Sequence, residues 1–377
     1  MNSKAIRLAL LLLFGLAPLL PAQSPPGPPT GPPGDTMKSL QEIWEEIVAL
    51  KAQNAALQGQ NAALQGQFSD LRTFLGAPPT IEMVPVGNAG NPADTSTYGA
   101  VSYPYSIGKY EVTNAQYAQF LNAVAVTDPN ALYNTSMGSN VRGGITRSGA
   151  SGSYSYVVKG FMGDKPVNYV SWYDALRFCN WLHNGRPTGE QDSATTEGGA
   201  YTLTGATSVA VGDDPTHGAN GRNAGARFWL PGEDEWYKAA YHDPANAGAD
   251  ANETADYWLY PTKSDGAPTV ATADLDGNVD NDTANIANYD RGADWNGQNG
   301  NVTTVGSGGP GSASYYGAFD MGGNVWEWNE QTIGGNRGLR GGSWFNFFSF
   351  NLQSSFRFSG GGPAGGNNDI GFRVAGP

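Results

Sequence analysis

A chain of 377 residues with 53 glycines, 24 prolines and only 15% charged residues is too rich in turn formers for a helix bundle. It is long enough for one large domain with appendages. A net charge of −13 repels phosphate backbones and argues against nucleic acid as a partner. The lone cysteine, Cys179, excludes an internal disulfide and a zinc centre built on several thiolates.

The first elements are segments of sorting and assembly. Lys4 and Arg7 precede an apolar run from Leu8 to Leu20, which reads as a signal peptide over 1–23 with cleavage near Ala22 or Ser24. A retained anchor helix is the alternative. Export to the cell surface, periplasm or extracellular space is therefore expected, and no cysteine follows the run to carry a lipid. Residues 24–36 form a Pro/Gly linker without the strict three-residue glycine period of collagen.

Residues 37–76 carry heptads. Leu40, Ile43, Ile47, Leu50, Asn54, Leu57, Asn61, Leu64, Phe68, Leu71 and Leu75 alternate by three and four, and QNAALQG occurs in tandem at 53–59 and 60–66. Asparagines at two a positions fix register across a seam of leucine and isoleucine. The pattern predicts a parallel coiled coil, dimer or trimer, forming a rod of roughly 54 Å. An amphipathic helix packed on its own domain is the alternative, although it calls for a wider apolar stripe.

From 79 to 377 the texture is short strands and helices between long polar loops. Thr113 is a predicted N-cap with Gln116 as its capping-box partner, opening a helix that faces inward through Tyr117, Phe120 and Leu121. Ser171 to Asp174 repeats the pattern, with Ala175, Phe178, Cys179 and Leu182 inward. The acidic, Gly/Asn/Thr-rich stretches 186–222 and 243–284 read as surface insertions.

Six ordered segments carry a resemblance: Gly108 to Tyr117 (GKYEVTNAQY), Pro166 to Trp172 (PVNYVSW), Arg227 to Trp236 (RFWLPGEDEW), Gly323 to Trp328 (GNVWEW), Arg340 to Trp344 (RGGSW) and Gly371 to Arg373 (GFR). Together they resemble the formylglycine-generating enzyme (sulfatase-modifying factor) family. The resemblance implies an α+β, loop-rich C-type lectin-like fold. It also implies copper-dependent oxidation through two cysteines beyond the Gly-Gly-Ser motif, but the matching positions here are Asn346 and Asn351. Copper(I) wants paired thiolates, so no copper and no catalytic residues are expected. A branch of the family uses iron held by histidines of a separate helical domain. His183, His217 and His242 lie in unrelated places and read as surface histidines.

The resemblance further implies structural calcium held by Asp320, Glu327 and the carbonyls of Gly323 and Val325, with a second set at Asn288, Tyr289, Asn299 and Asn301. Hard oxygen donors suit that ion. Asp274, Asp276, Asn278 and Asp280 mimic a calcium loop but lack the downstream glutamate, and read as a solvated loop.

Six of the 15 phenylalanines fall between 345 and 358. Alternation at Trp344, Asn346, Phe348 and Phe350 suggests a strand, yet Phe345 and Phe347 occupy its other face, so some rings must be exposed. Residues 344–369 resemble the variable region of proteins diversified by retroelements, in which asparagine codons are randomised. The candidate binding residues are Trp344, Phe345, Asn346, Phe347, Phe348, Phe350, Asn351, Phe356, Phe358, Ser359, Gly360, Gly361 and Gly362. The resemblance implies a homo-oligomeric display protein binding a protein or glycan of variable identity. The alternatives are an oxidoreductase or other metal-dependent enzyme with altered chemistry, and a structural envelope protein.

Overall fold

The structure is a computed structural model. It describes residues 41–51, 53, 80–205, 207, 213–214, 219–246, 256–281, 283–359 and 362–377. The signal peptide, the linker and the heptad positions from Asn54 to Leu75 lie outside the described residues. The chain divides into two units, 1–70 and 71–377. In the first, residues 41–51 are helical, and Ile43, Ile47 and Leu50 are exposed. Among the described residues no helix is long and apolar enough to cross a membrane.

The second unit begins with β1 (Met83–Val86) and β2 (Tyr105–Gly108), followed by α1 (Asn114–Val124) and the single turn α2 (Ser136–Ser139). The hairpin of β3 (Ile145–Ser148) and β4 (Ser155–Val158) precedes α3 (Trp172–His183). Next come β5 (Asp213–Asp214), β6 (Ala219–Asn220), α4 (Glu233–Tyr241), β7 (Thr269–Val270) and β8 (Ile286–Ala287). The C-terminal part holds β9 (Trp326–Ile333), β10 (Asn336–Arg340), β11 (Ile370–Gly371) and β12 (Ala375–Gly376). It is a mixed, loop-rich α+β fold of the C-type lectin-like kind.

Both predicted capping boxes form. Thr113 Oγ1 accepts from Gln116 N at 3.4 Å while Gln116 Oε1 accepts from Thr113 N at 2.9 Å. In α3, Ser171 Oγ and Asp174 make the same exchange at 3.1 and 2.9 Å. Each box satisfies amide donors left over by the first turn. The inward faces of α1 and α3 meet in a ring cluster: Phe178 lies 5.4 Å from both Phe120 and Phe372, centroid to centroid, in edge-to-face contact. Full burial of such side chains stabilises by roughly 1.5–3 kcal/mol each.

Two three-stranded sheets frame this core. In one, β2 is central between β1 and β12, all antiparallel, so the first and last strands of the domain share a sheet. In the other, β9 pairs antiparallel with β10 and parallel with β11, aligning Ile370 with Trp326 and Gly371 with Glu327. The stretch 186–222 is not a wholly surface insertion: Thr195, Thr196, Ala200, Tyr201 and Leu203 are buried. Tyr201 donates to Glu330 on β9 at 2.5 Å, which draws the loop onto the core.

Candidate functional site

The segment after β10 alternates between buried anchors and exposed rings. Gly341 and Gly342 turn the chain with φ of 96° and 77°, values a side chain rarely adopts. A Cβ at Gly342 would come within 2.9 Å of Leu352 Cδ1, so the turn also needs the space. Trp344 then plunges inward beside Met162, Trp295, Val302 and Val325, and its indole donates to the Asn368 carbonyl at 3.3 Å. It is 1% exposed, which corrects its assignment as a ligand-binding residue: it is an internal anchor.

Phe345, Phe347, Phe348, Phe350 and Phe358 are all exposed, Phe348 by 62%. The strand suggested by their alternation is absent. Residues Ser349–Leu352 make a 3-10 turn that buries Leu352 against Tyr260, Ala287 and Tyr289. Phe348 and Phe350 stack at 5.4 Å with 13° between planes, and the Arg291 guanidinium lies 4.2 and 4.5 Å from the Phe345 and Phe347 ring centres. Asn346, Asn351, Phe356 and Ser359 are half-buried and Gly362 is exposed; Gly360 and Gly361 lie outside the described residues.

Asn346 and Asn351 come together on the wall of a cavity of about 290 Å³. Phe345, Phe356 and Phe358 line it with them. The remaining walls, Trp326, Asn367, Asp369 and Ile370, were not among the binding residues expected from the sequence. Asp369 arrives there because β11 runs parallel to β9: Trp326 N donates to the Asp369 carbonyl at 2.8 Å. Its carboxylate lies 3.2 Å from Ser343 Oγ and shares that hydroxyl's single proton with Asn346 Oδ1, and burial pushes its pKa up against that hydrogen bond. The available signal was its place two residues before the Gly371-to-Arg373 motif. Asn346 Oδ1 is held by Ser343 N and Oγ at 2.8 and 3.0 Å, so this side chain shapes a turn.

The first calcium set does not fit the ion. Glu327 is fully buried and both its oxygens accept from Arg373, Nε and Nη2 each at 2.6 Å, while Trp236 Nε1 donates at 2.7 Å. With three donors on its two oxygens this carboxylate has little acceptor capacity left, and the adjacent positive charge repels a second cation. Glu327 therefore belongs to an internal ion pair between two motif segments. Asp320 accepts from Gly306 N at 2.5 Å, and burial pushes its carboxyl up to about 6. Gly323 packs its Cα against the Asn288 backbone, and Val325 is a core residue beside Trp344.

In the second set, Asn288 and Asn301 are buried neighbours: Asn288 Nδ2 donates to the Asn301 carbonyl at 2.9 Å and Asn288 Oδ1 has no partner. Tyr289 uses its hydroxyl on the Pro268 carbonyl at 2.7 Å, and the Asn299 carbonyl accepts from Arg142 at 3.0 Å. The set thus offers one uncommitted neutral oxygen and no carboxylate. Among the described residues no group of three or more His, Cys, Asp or Glu side chains is arranged to hold a metal.

The loop of Asp274 to Asp280 has its own cation. Lys165 Nζ donates to the Asp276 carbonyl at 2.5 Å and to Thr304 Oγ1 at 2.7 Å, and burial lowers its pKa to about 8. Of the histidines, His183 Nδ1 accepts from Arg227 N at 3.1 Å. His242 is buried rather than on the surface, its Nδ1 2.7 Å from the Tyr316 hydroxyl; burial lowers its pKa to about 4. His217 lies outside the described residues.

Comparison with solved structures finds Treponema denticola variable protein 1 at 19% identity, covering 79% of this chain and 97% of that one, with a TM-score of 0.41. CarF, known from its crystal structure, is 21% identical over 79% of this chain and 98% of its own, with a TM-score of 0.42. PvdO from Pseudomonas aeruginosa is 16% identical over 79% and 92%, with a TM-score of 0.36. Among curated proteins nothing matches. The signature of the sulfatase-modifying factor enzyme 1-like domain matches residues 80–376, and the chain belongs to that family.

Proposed function

We propose that this chain is an exported binding protein, the diversified product of a retroelement, that captures a macromolecule through the aromatic surface from Phe345 to Phe358. The observation that carries this is the exposure of five phenylalanines within fourteen residues, on a segment whose buried anchors are other residues. A contiguous patch of exposed aromatic rings marks an interaction site. Two or three such rings, each contributing roughly 1.5–3 kcal/mol on burial, suffice for useful affinity. Paired-thiolate chemistry finds no support: Cys179 is the only cysteine, it is buried in α3, and burial raises its thiol pKa. Structural calcium finds no support at Glu327, and of the second set, Asn288, Tyr289, Asn299 and Asn301, the one oxygen left uncommitted is Asn288 Oδ1.

The test is sequencing of the 3′ end of the gene from many cells, with a search beside it for a reverse-transcriptase gene and an adenine-rich near-copy. Substitutions should concentrate at 345–348, 350, 351, 356 and 358–362 and spare Trp344, Leu352 and Ser354. An even spread, or copper-dependent oxidation of a cysteine peptide by the protein, overturns the proposal.

A further inference from the structure

The cavity beside the exposed rings has a chemistry of its own. Its apolar walls include Trp326, Phe356 and Phe358, with Trp326 ring to ring with the two phenylalanines at 6.0 and 5.4 Å. Its polar lining is neutral except for Asp369. That carboxylate is 8% exposed and makes no ion pair among the described residues. Four other buried acids of the domain are neutralised by arginines: Glu327 by Arg373, Glu233 by Arg340 and Arg357, Glu330 and Glu235 by Arg222. The neighbouring cations do not serve Asp369. Arg291 covers Phe345 and Phe347, and Arg142 lies over Trp344 and donates to the carbonyls of Asn299 and Gly300.

A buried carboxylate without a counter-charge is costly, and aromatic walls favour a cation over a neutral guest. We propose that this cavity receives one lysine side chain of a protein partner, its methylene stem against the rings and its ammonium on Asp369. The proposal rests on the binding role above and names what the partner presents. Lysine suits the site better than arginine for a geometric reason. Ser343 Oγ lies 3.2 Å from one Asp369 oxygen, so a guanidinium fork has to share that oxygen with the hydroxyl, while a compact ammonium needs only the other.

The probe is n-butylammonium, compared with 1-butanol, butyrate and n-propylguanidinium by titration of the full chain, read by tryptophan fluorescence and calorimetry. Butylammonium should saturate at millimolar concentration and bind at least tenfold more tightly than the other three. Its affinity should fall with added salt and at acid pH, where Asp369 takes a proton, while that of butanol stays constant. Asp369→Asn should erase the preference for the ammonium. Butanol or propylguanidinium binding as well as butylammonium, or an unchanged preference in Asp369→Asn, overturns the assignment. If Asp369→Asn fails to fold, the four-ligand comparison and its salt dependence on the wild-type chain decide alone. The sequencing test of the binding role is independent: an invariant 3′ end sinks that role whatever the cavity binds, and a variable one stands if the ammonium preference fails.

Discussion

Replacing Glu327 by Gln tests the reassignment of that residue most directly. The amide keeps the shape of the side chain and one acceptor oxygen but removes the charge, and it presents an NH2 group to Arg373 or Trp236, both donors. Arg373 is fully buried, its remaining hydrogen bonds go to the carbonyls of Gly108 and Phe319, and the carboxyls of Glu111 and Asp320 act on it more weakly than Glu327. Removing one member of a buried pair costs about 3–5 kcal/mol, because the survivor is left uncompensated. At roughly 2 °C per kcal/mol for a domain of this size, the melting temperature should drop by about 6–10 °C. Differential scanning calorimetry with calcium and with chelator separates the two roles of Glu327. An ion-pair residue loses the same stability in both, whereas a calcium ligand loses it only where calcium was bound. An unchanged melting temperature, or a loss that vanishes in chelator, would refute the ion-pair role.

Burial pushes Asp320 up to about 6 and Asp174 up to about 7, and raises Glu111, whose two oxygens have no partner. The folded state therefore holds protons that the unfolded chain releases near pH 4, and stability from these groups falls as pH rises from 4 through 7; a melting temperature at pH 5 no higher than at pH 7 contradicts this. Lys165 acts in the opposite sense: with its folded pKa lowered to about 8, its contribution rises between pH 8 and about 10.4, and Lys165→Met should flatten that limb of the melting curve. Phe348→Ala with Phe350→Ala removes exposed rings, so the melting temperature should move by less than about 3 °C while binding of an apolar dye falls several-fold; a cooperative loss of fold would show the rings to be structural. The heptads predict a dimer or trimer by light scattering on the mature chain, and a monomer at micromolar concentration would refute them.

The motif segments and both capping boxes were legible because their signals are local: a cap and its partner lie three residues apart. The exposure of the phenylalanines was legible too, since Phe345 and Phe347 conflict with any one-faced strand. Glu327 was misjudged because its partner is Arg373, forty-six residues away, and nothing in either segment announces the pairing. Asp369 escaped notice because its role comes from the parallel register of β11 on β9, a tertiary fact. Tyr201 sits in a polar stretch whose composition hides the buried hydrogen bond to Glu330.

The anchoring of the loop after β10 has a consequence for how such a surface evolves. Its backbone is nailed down at Trp344, at Leu352, by Arg340 donating to the carbonyls of Ser354 and Phe356 at 2.8 and 2.7 Å, and by the paired backbones of Leu339 and Phe358. Between nails, only short spans of exposed side chains are free to differ. Substitutions in separate spans should add in free energy, whereas Phe348, Phe350 and Phe356 touch in series and should couple. A random mutagen confined to such spans draws its lottery among folded molecules, so nearly every ticket is a new surface and few are a ruined protein.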